Sequence, residues 1–216
     1  MKMLLKLFAV IIMLIGCIPF IPYIYKNYTK PLVKNYLDKR DWYNNIDHEQ
    51  LAQVRNYCER RGFSTDYYIM VDFSIPSGKR RFFIYDLKNE KDILSSYCMH
   101  GSGKGNTDAT PKFSNKLGSG CSSLGRYIMV GKGSTRFKNC VRLRGLDDTN
   151  YMAETRGILI HSAGKVSRFY GQTEYIPIGS ASEGCFTVSR ECVNRIIELY
   201  IESSPKRPIL IWAKYK

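Results

Sequence analysis

The 216-residue sequence predicts a mainly β fold in one domain with two peripheral helices. Three observations carry that expectation. Short runs rich in Val, Ile, Tyr and Phe recur from Tyr67 to Ala213, each too brief for a helix and of strand length. Glycine, proline, serine and asparagine clusters separate those runs, as turns require. Only two segments, after Asp47 and after Ser189, repeat apolar residues at helical spacing. The length suits one domain plus an appendage and allows a substantial core.

The appendage comes first. Lys2 and Lys6 precede Leu7–Ile24, an uncharged apolar stretch just long enough to cross a bilayer. Pro19 and Pro22 bend such a segment without preventing insertion. Met1–Tyr25 therefore reads as a membrane anchor. A cleaved signal peptide is the rival, although no small-x-small cleavage site stands out. Leu14-Ile15-Gly16-Cys17 is a loose lipobox, which would make Cys17 a lipidated first residue. Lys26, Lys30, Lys34, Lys39 and Arg40 outnumber the positive charges before the span, so a positive-inside count argues for a cytoplasmic domain. A basic N-terminus followed by an apolar core is, in contrast, an export signal. Residues 26–46 are polar and aromatic, a tether or short helix, and 47–216 make up the folded domain.

Within that domain, Asp47 and Gln50 have capping-box spacing, Leu51, Val54 and Cys58 form a narrow apolar face, and Gly62 closes the helix. Tyr67–Phe73 and Arg81–Asp86 flank the turn Pro76-Ser77-Gly78 and read as an antiparallel hairpin. Ile93–Met99 is a third strand ending at His100. Ser102–Ser123, with little apolar content, is a long loop of the kind that carries function. Tyr127–Val130, Val141–Leu143, Ile158–Ile160 and Phe186–Val188 add short strands. Ser189 caps a helix with Val193, Ile196, Ile197 and Tyr200 on one face. Pro205 and Pro208 bracket the turn to a last strand, Ile209–Ala213.

Chemistry is concentrated between Ile158 and Ser189. The buried run Ile158–Ile160 leads into His161-Ser162, and Cys185 follows Ser182-Glu183-Gly184 at the head of the Phe186–Val188 run. A thiol attacks well only as thiolate, whose ordinary pKa lies near about 8.5. An imidazole beside it takes the proton, so histidine at one strand end and cysteine at another form a candidate nucleophile and base. Free cysteine is also among the most buried, inert residue types, and spacing alone does not separate the two readings.

The residues around the pair do more. His161-Ser162 followed by Ser182-Glu183-Gly184-Cys185 resembles the signature of L,D-transpeptidases with a YkuD-type catalytic domain, and in particular the murein L,D-transpeptidase catalytic domain family. The resemblance extends, in order, over Asp72-Phe73-Ser74-Ile75-Pro76-Ser77, Arg81, Asp86-Leu87, Met99-His100-Gly101-Ser102-Gly103, Thr110 to Asn115, Gly118-Ser119, Ser122 to Gly125 and Arg156 to His161. It implies a YkuD-like β-sandwich or barrel-like catalytic domain that remodels peptidoglycan through an acyl-enzyme. Cys185 would be the nucleophile, His161 the general base, and Ser162 would orient the imidazole through its backbone carbonyl. The N–H groups of Gly184 and Cys185 are the candidate oxyanion donors. Ser182, Glu183, His100 and Arg156 are candidate substrate contacts, Arg156 by a bidentate bond to a carboxylate, although a strand-edge salt bridge explains it as well. For His100 a structural role, with the ring satisfied by loop backbone, is the favoured reading.

Two departures accompany the resemblance. Well-known members carry histidine where this chain has Glu183, and their gap between the two motif halves is shorter than Gly164–Ala181. The resemblance implies peptidoglycan stem peptides as substrate, a cell-envelope location facing the periplasm or exterior, and no cofactor. A hydrolytic L,D-carboxypeptidase and a non-catalytic, membrane-tethered wall-binding protein are the alternatives. The net charge of +14 favours polyanions, yet no nucleic-acid motif accompanies it, so no nucleic-acid partner is expected. Cys58, Cys98, Cys121, Cys140 and Cys192 lack regular spacing and read mostly as buried thiols, with any pairing open. No Cys-x-x-Cys or Cys-x-x-His spacing occurs, so no metal site is expected.

Overall fold

The computed structural model describes residues 26–27, 47–133, 137, 139–179, 182–203 and 207–215. Met1–Tyr25, with Cys17, and most of the tether lie outside the described residues. Among the described residues no helix is long and apolar enough to cross a membrane.

The strands are β1 (Tyr67–Asp72), β2 (Phe82–Asp86), β3 (Lys91–Ser96), β4 (Gly125–Lys132), β5 (Cys140–Gly145), β6 (Leu159–Ser162), β7 (Phe186–Val188) and β8 (Leu210–Lys214). They form one sheet in the order β3-β2-β1-β8-β4-β5-β6-β7. The expected β1–β2 hairpin is present, antiparallel, with Tyr67 opposite Asp86. β8 lies between β1, to which it is parallel, and β4, to which it is antiparallel. Past the end of β3, Met99 bridges to Thr187 of β7, so the sheet curves almost closed into a barrel-like shape.

Strand alternation divides the apolar residues between two layers. Ile69, Val71, Phe82, Ile84, Tyr127, Leu143 and Phe186 face the inside, where α3 (Arg190–Ser203) adds Cys192, Val193, Ile196 and Ile197. Tyr68, Met70, Phe83 and Tyr85 face outward and are covered by Leu51, Val54 and Cys58 of α1 (His48–Arg61). The sheet is thus buried on both faces where α1 covers it. Burial of a side chain such as Leu51 stabilises by about 1.5–3 kcal/mol.

The ends of α1 follow the sequence signals. Asp47 Oδ1 accepts from the Gln50 N–H at 2.9 Å, and Gly62 caps the C-terminus at φ 68°. Asp47→Ala should therefore cost about 1 kcal/mol, read as a lower urea midpoint with unchanged slope.

The long segment after β6 holds a feature the sequence did not announce, a one-turn helix α2 (Gly164–Ser167). Its remainder is tied to the first hairpin. Ser77 Oγ accepts from Ile176 N–H at 2.8 Å, and the Gly78 N–H donates to Glu174 O at 2.8 Å. A Cβ on Gly78 would sit 2.1 Å from Thr173 O, so only glycine lets the two backbones approach. The loop is anchored at its far end.

Candidate active site

His161 is the third residue of β6, and its Cα pairs with Thr187 across the parallel β6–β7 ladder. Cys185 stands two residues before Thr187, at the head of β7, and so shares its face of the sheet. Both side chains line one groove of about 580 Å³, together with Ser102, Lys104, Leu117, Arg156 and Glu183. The fold therefore brings the sequence-distant histidine and cysteine into the same cleft.

The surroundings of the imidazole define its tautomer. Nδ1 lies 3.3 Å from the Ser162 carbonyl, which can only accept, so Nδ1 carries the hydrogen. Nε2 then keeps its lone pair and lies 3.3 Å from Thr187 Oγ1, whose hydroxyl donates to it. Phe137 stacks on the ring at 3.8 Å between centroids and 16° between planes. His161 is only 1 % exposed although it lines the groove, because its face is covered in this way. Phe137 has no counterpart in the sequence reading: one aromatic in a basic, polar segment gives no local signal.

The cysteine sits on an elbow built by hydrogen bonds. Gly184 adopts φ +117°, and a Cβ there would meet Cys121 O at 2.6 Å. Ser182 Oγ donates to Cys185 O at 2.7 Å and accepts from the Gly184 N–H at 3.2 Å. Ser102 N–H and Oγ both donate to Ser182 O, at 2.8 and 2.9 Å. Ser122 Oγ accepts from the Gly101 N–H and donates to Gly184 O, each at 3.0 Å. Cys185 itself is half-buried, its S–H directed at Gly157 O 3.8 Å away.

These contacts bear on three expectations. The Gly184 N–H donates to Ser182 Oγ at 3.2 Å, so the Cys185 N–H is the stronger candidate for an oxyanion donor. Ser182 is buried, and its hydroxyl braces the elbow through Cys185 O. Arg156 lines the groove, but its guanidinium holds the 114–123 loop: Nη1 donates to Ser114 O at 2.7 Å, and Nη2 to Cys121 O and to Ser119 Oγ at 3.2 Å. In the structure the guanidinium clamps this loop. Glu183 is exposed at the groove edge.

His100 lies outside the groove lining, buried at 2 % exposure, as loop-backbone satisfaction would have it. Arg81 Nη2 donates to its Nδ1 at 3.0 Å, so Nε2 carries the hydrogen and donates to Thr107 O at 3.1 Å. Burial, and then the Arg81 charge, push its pKa down from 6.5 to about 4. The unfolded chain thus binds a proton that the folded one refuses. Stability from this group is complete above about 6.5 and falls as pH drops towards 4, by about 3 kcal/mol in all. Urea midpoints measured from pH 7 to pH 4 should fall less in His100→Gln than in the unaltered protein.

The other described cysteines differ from Cys185 in burial. Cys58, Cys98, Cys121, Cys140 and Cys192 are buried, and none of the six described cysteines is in a disulfide. Burial pushes the Cys98 thiol up to about 12 and raises Cys192 further from reactivity. Among the described residues no group of three or more His, Cys, Asp or Glu side chains is placed to hold a metal ion.

Three comparisons with known proteins bear on the family. The family model of the L,D-transpeptidase catalytic domain, YkuD_2, matches residues 40–205. A structural relative is the crystal structure of the L,D-transpeptidase (residues 123-326) from Xylanimonas cellulosilytica DSM 15894, at 13 % identity and a TM-score of 0.38. The match covers 70 % of this chain and 61 % of that one. No curated protein matches the chain. With the family model spanning the helix α1, strands β1 to β7, both His161 and Cys185, and α3, the chain belongs to the L,D-transpeptidase catalytic domain family.

Proposed function

We propose that the protein is a cysteine acyltransferase acting on peptidoglycan stem peptides, an L,D-transpeptidase with Cys185 as nucleophile. The observation that carries this reading is the groove that the His161 imidazole and the Cys185 thiol line together. Ser162 O holds the Nδ1 hydrogen, so Nε2 is the basic nitrogen, and the Thr187 hydroxyl that donates to it turns aside as it takes the thiol proton.

Chemically, His161 Nε2 takes the thiol proton as Cys185 Sγ attacks the carbonyl carbon of the donor stem. The carbonyl electrons move to oxygen, and the Cys185 N–H donates to that oxyanion. Collapse breaks the C–N bond, and the imidazolium returns its proton to the departing amine. A second amine attacks the thioester, gives its proton to His161, and releases Cys185 as thiolate. Ser162 and Phe137 act through His161 as positioning residues. No step calls for a cofactor.

The apolar stretch Leu7–Ile24 supports placing this activity at the outer face of a membrane, where such a polymer lies. Protease accessibility of a C-terminal tag in intact cells and spheroplasts tests that placement.

The activity is tested in two stages. Incubation with a carbapenem should add one acyl group, mapped to Cys185 by mass spectrometry of the digested protein. Stem peptides supplied next should yield cross-linked or terminally exchanged products. Shortened stems alone would assign hydrolysis, and an unmodified Cys185 would assign a binding role.

A further inference from the structure

The groove that holds Cys185 does not end at Leu117. Beyond that side chain lies a second concavity of about 450 Å³, lined by Asn115, Lys116, Leu117, Asp148, Tyr151 and Met152. Leu117 is a wall of both. Leu117 and Tyr151 are 67 % and 65 % exposed, large apolar groups that folding leaves uncovered side by side. An exposed apolar patch with polar residues at its rim is the usual mark of a binding surface.

This ledge is built, not a loose loop. Asn115 Nδ2 donates to Asp148 O at 3.1 Å, and Asn115 Oδ1 accepts from the Met152 N–H at 3.1 Å. Arg156 holds the neighbouring Ser114 carbonyl at 2.7 Å. The Asn115 amide is therefore used in joining the two loops. What faces outward is an aromatic ring and an isobutyl group, with exposed Lys116 and Asp148 alongside.

We propose that the ledge binds a saccharide ring of the same polymer whose peptide occupies the groove, an inference that rests on the proposed function. A pyranose presents an apolar C–H face, which packs on a tyrosine ring and a leucine. Its hydroxyl and acetamido groups lie at the ring edge, where a carboxylate accepts and an ammonium donates. Tyrosine suits such a surface, with an apolar body and a polar tip. The volume matches a small-molecule site of about 300–1,000 Å³. Continuity selects the occupant. A stem peptide in the groove is covalently joined to a sugar, and a chain leaving past Leu117 arrives at Tyr151.

Saturation-transfer NMR on the full-length protein tests this with a peptide-free tetramer of β-1,4-linked N-acetylglucosamine. Saturation of ring C–H protons is expected with the unaltered protein and with Tyr151→Phe, which keeps the ring. Tyr151→Ala should weaken the apparent affinity by about tenfold or more. Both substitutions are at an exposed position, and carbapenem acylation of Cys185 in the same samples reports an intact groove. No saturation, or equal saturation in Tyr151→Ala, in protein that is acylated would overturn the ledge and leave the proposed activity standing. Binding of a sugar-free stem peptide at Tyr151 in place of the tetramer would overturn it as well. Failure of acylation in the unaltered protein strikes the activity instead, and removes the ledge's ground with it.

Discussion

His161→Gln is expected to slow acylation of Cys185 by about a hundred- to ten-thousand-fold at neutral pH, the usual worth of a positioned general base. Glutamine roughly preserves the volume under Phe137, so the stacked packing survives while the proton acceptor is lost. The loss should shrink as pH rises past about 8.5, because thiolate then forms without help. Stopped-flow acylation by a carbapenem from pH 6 to pH 10 reads both effects. A rate equal to that of the unaltered protein across this range would remove His161 from the mechanism, and with it the argument from its tautomer.

Arg81→Met should be the most damaging single change to stability away from the groove. Arg81 is 2 % exposed, and its guanidinium donates to Cys98 O at 2.7 Å, Ile75 O at 3.1 Å and His100 Nδ1 at 3.0 Å. It also lies 5.0 Å over the Phe73 ring. Burial lowers its pKa to about 10, which still leaves it charged at neutral pH. Methionine fills much of the stem but leaves two carbonyls and a ring nitrogen without this donor, at about 1–3 kcal/mol each. Relief from burying a charge offsets part of that. A net loss of roughly 3 kcal/mol is expected, read from the urea midpoint. His100 should then titrate closer to its ordinary value, because one of the two causes that lower it is gone. An unchanged midpoint would mean that water replaces the guanidinium without cost.

Much of this architecture was legible locally. β1 and β2 are read from alternation and the Pro76-Ser77-Gly78 turn, and α1 from its acidic cap and closing glycine. Burial then followed, since Leu51, Val54 and Cys58 sit on the predicted face. Strand order was not legible, because pairing β8 with both β1 and β4 depends on contacts far apart in sequence. The site divides in the same way. His161 and Cys185 stand out by residue type and by resemblance to a family, and the groove joins them. Arg156 shows the limit: a cation before a strand reads as an anion ligand, yet four loop oxygens take its hydrogens. Likewise, nothing in Ser182-Glu183-Gly184 announces that the serine hydroxyl occupies the glycine amide. Phe137 comes to His161 only through tertiary packing.

The central place of β8 has a consequence for biosynthesis. Leu210–Lys214 are made after both β1 and β4, yet they fill the slot between the β1 and β4 sides of the sheet. Until they arrive, β1 and β4 each present a raw backbone edge, open to strangers of the same shape. A nascent chain of this design is thus split down the middle during translation and is sewn together when β8 arrives. A stop codon placed just before Leu210 should yield aggregates in place of a slightly shortened domain.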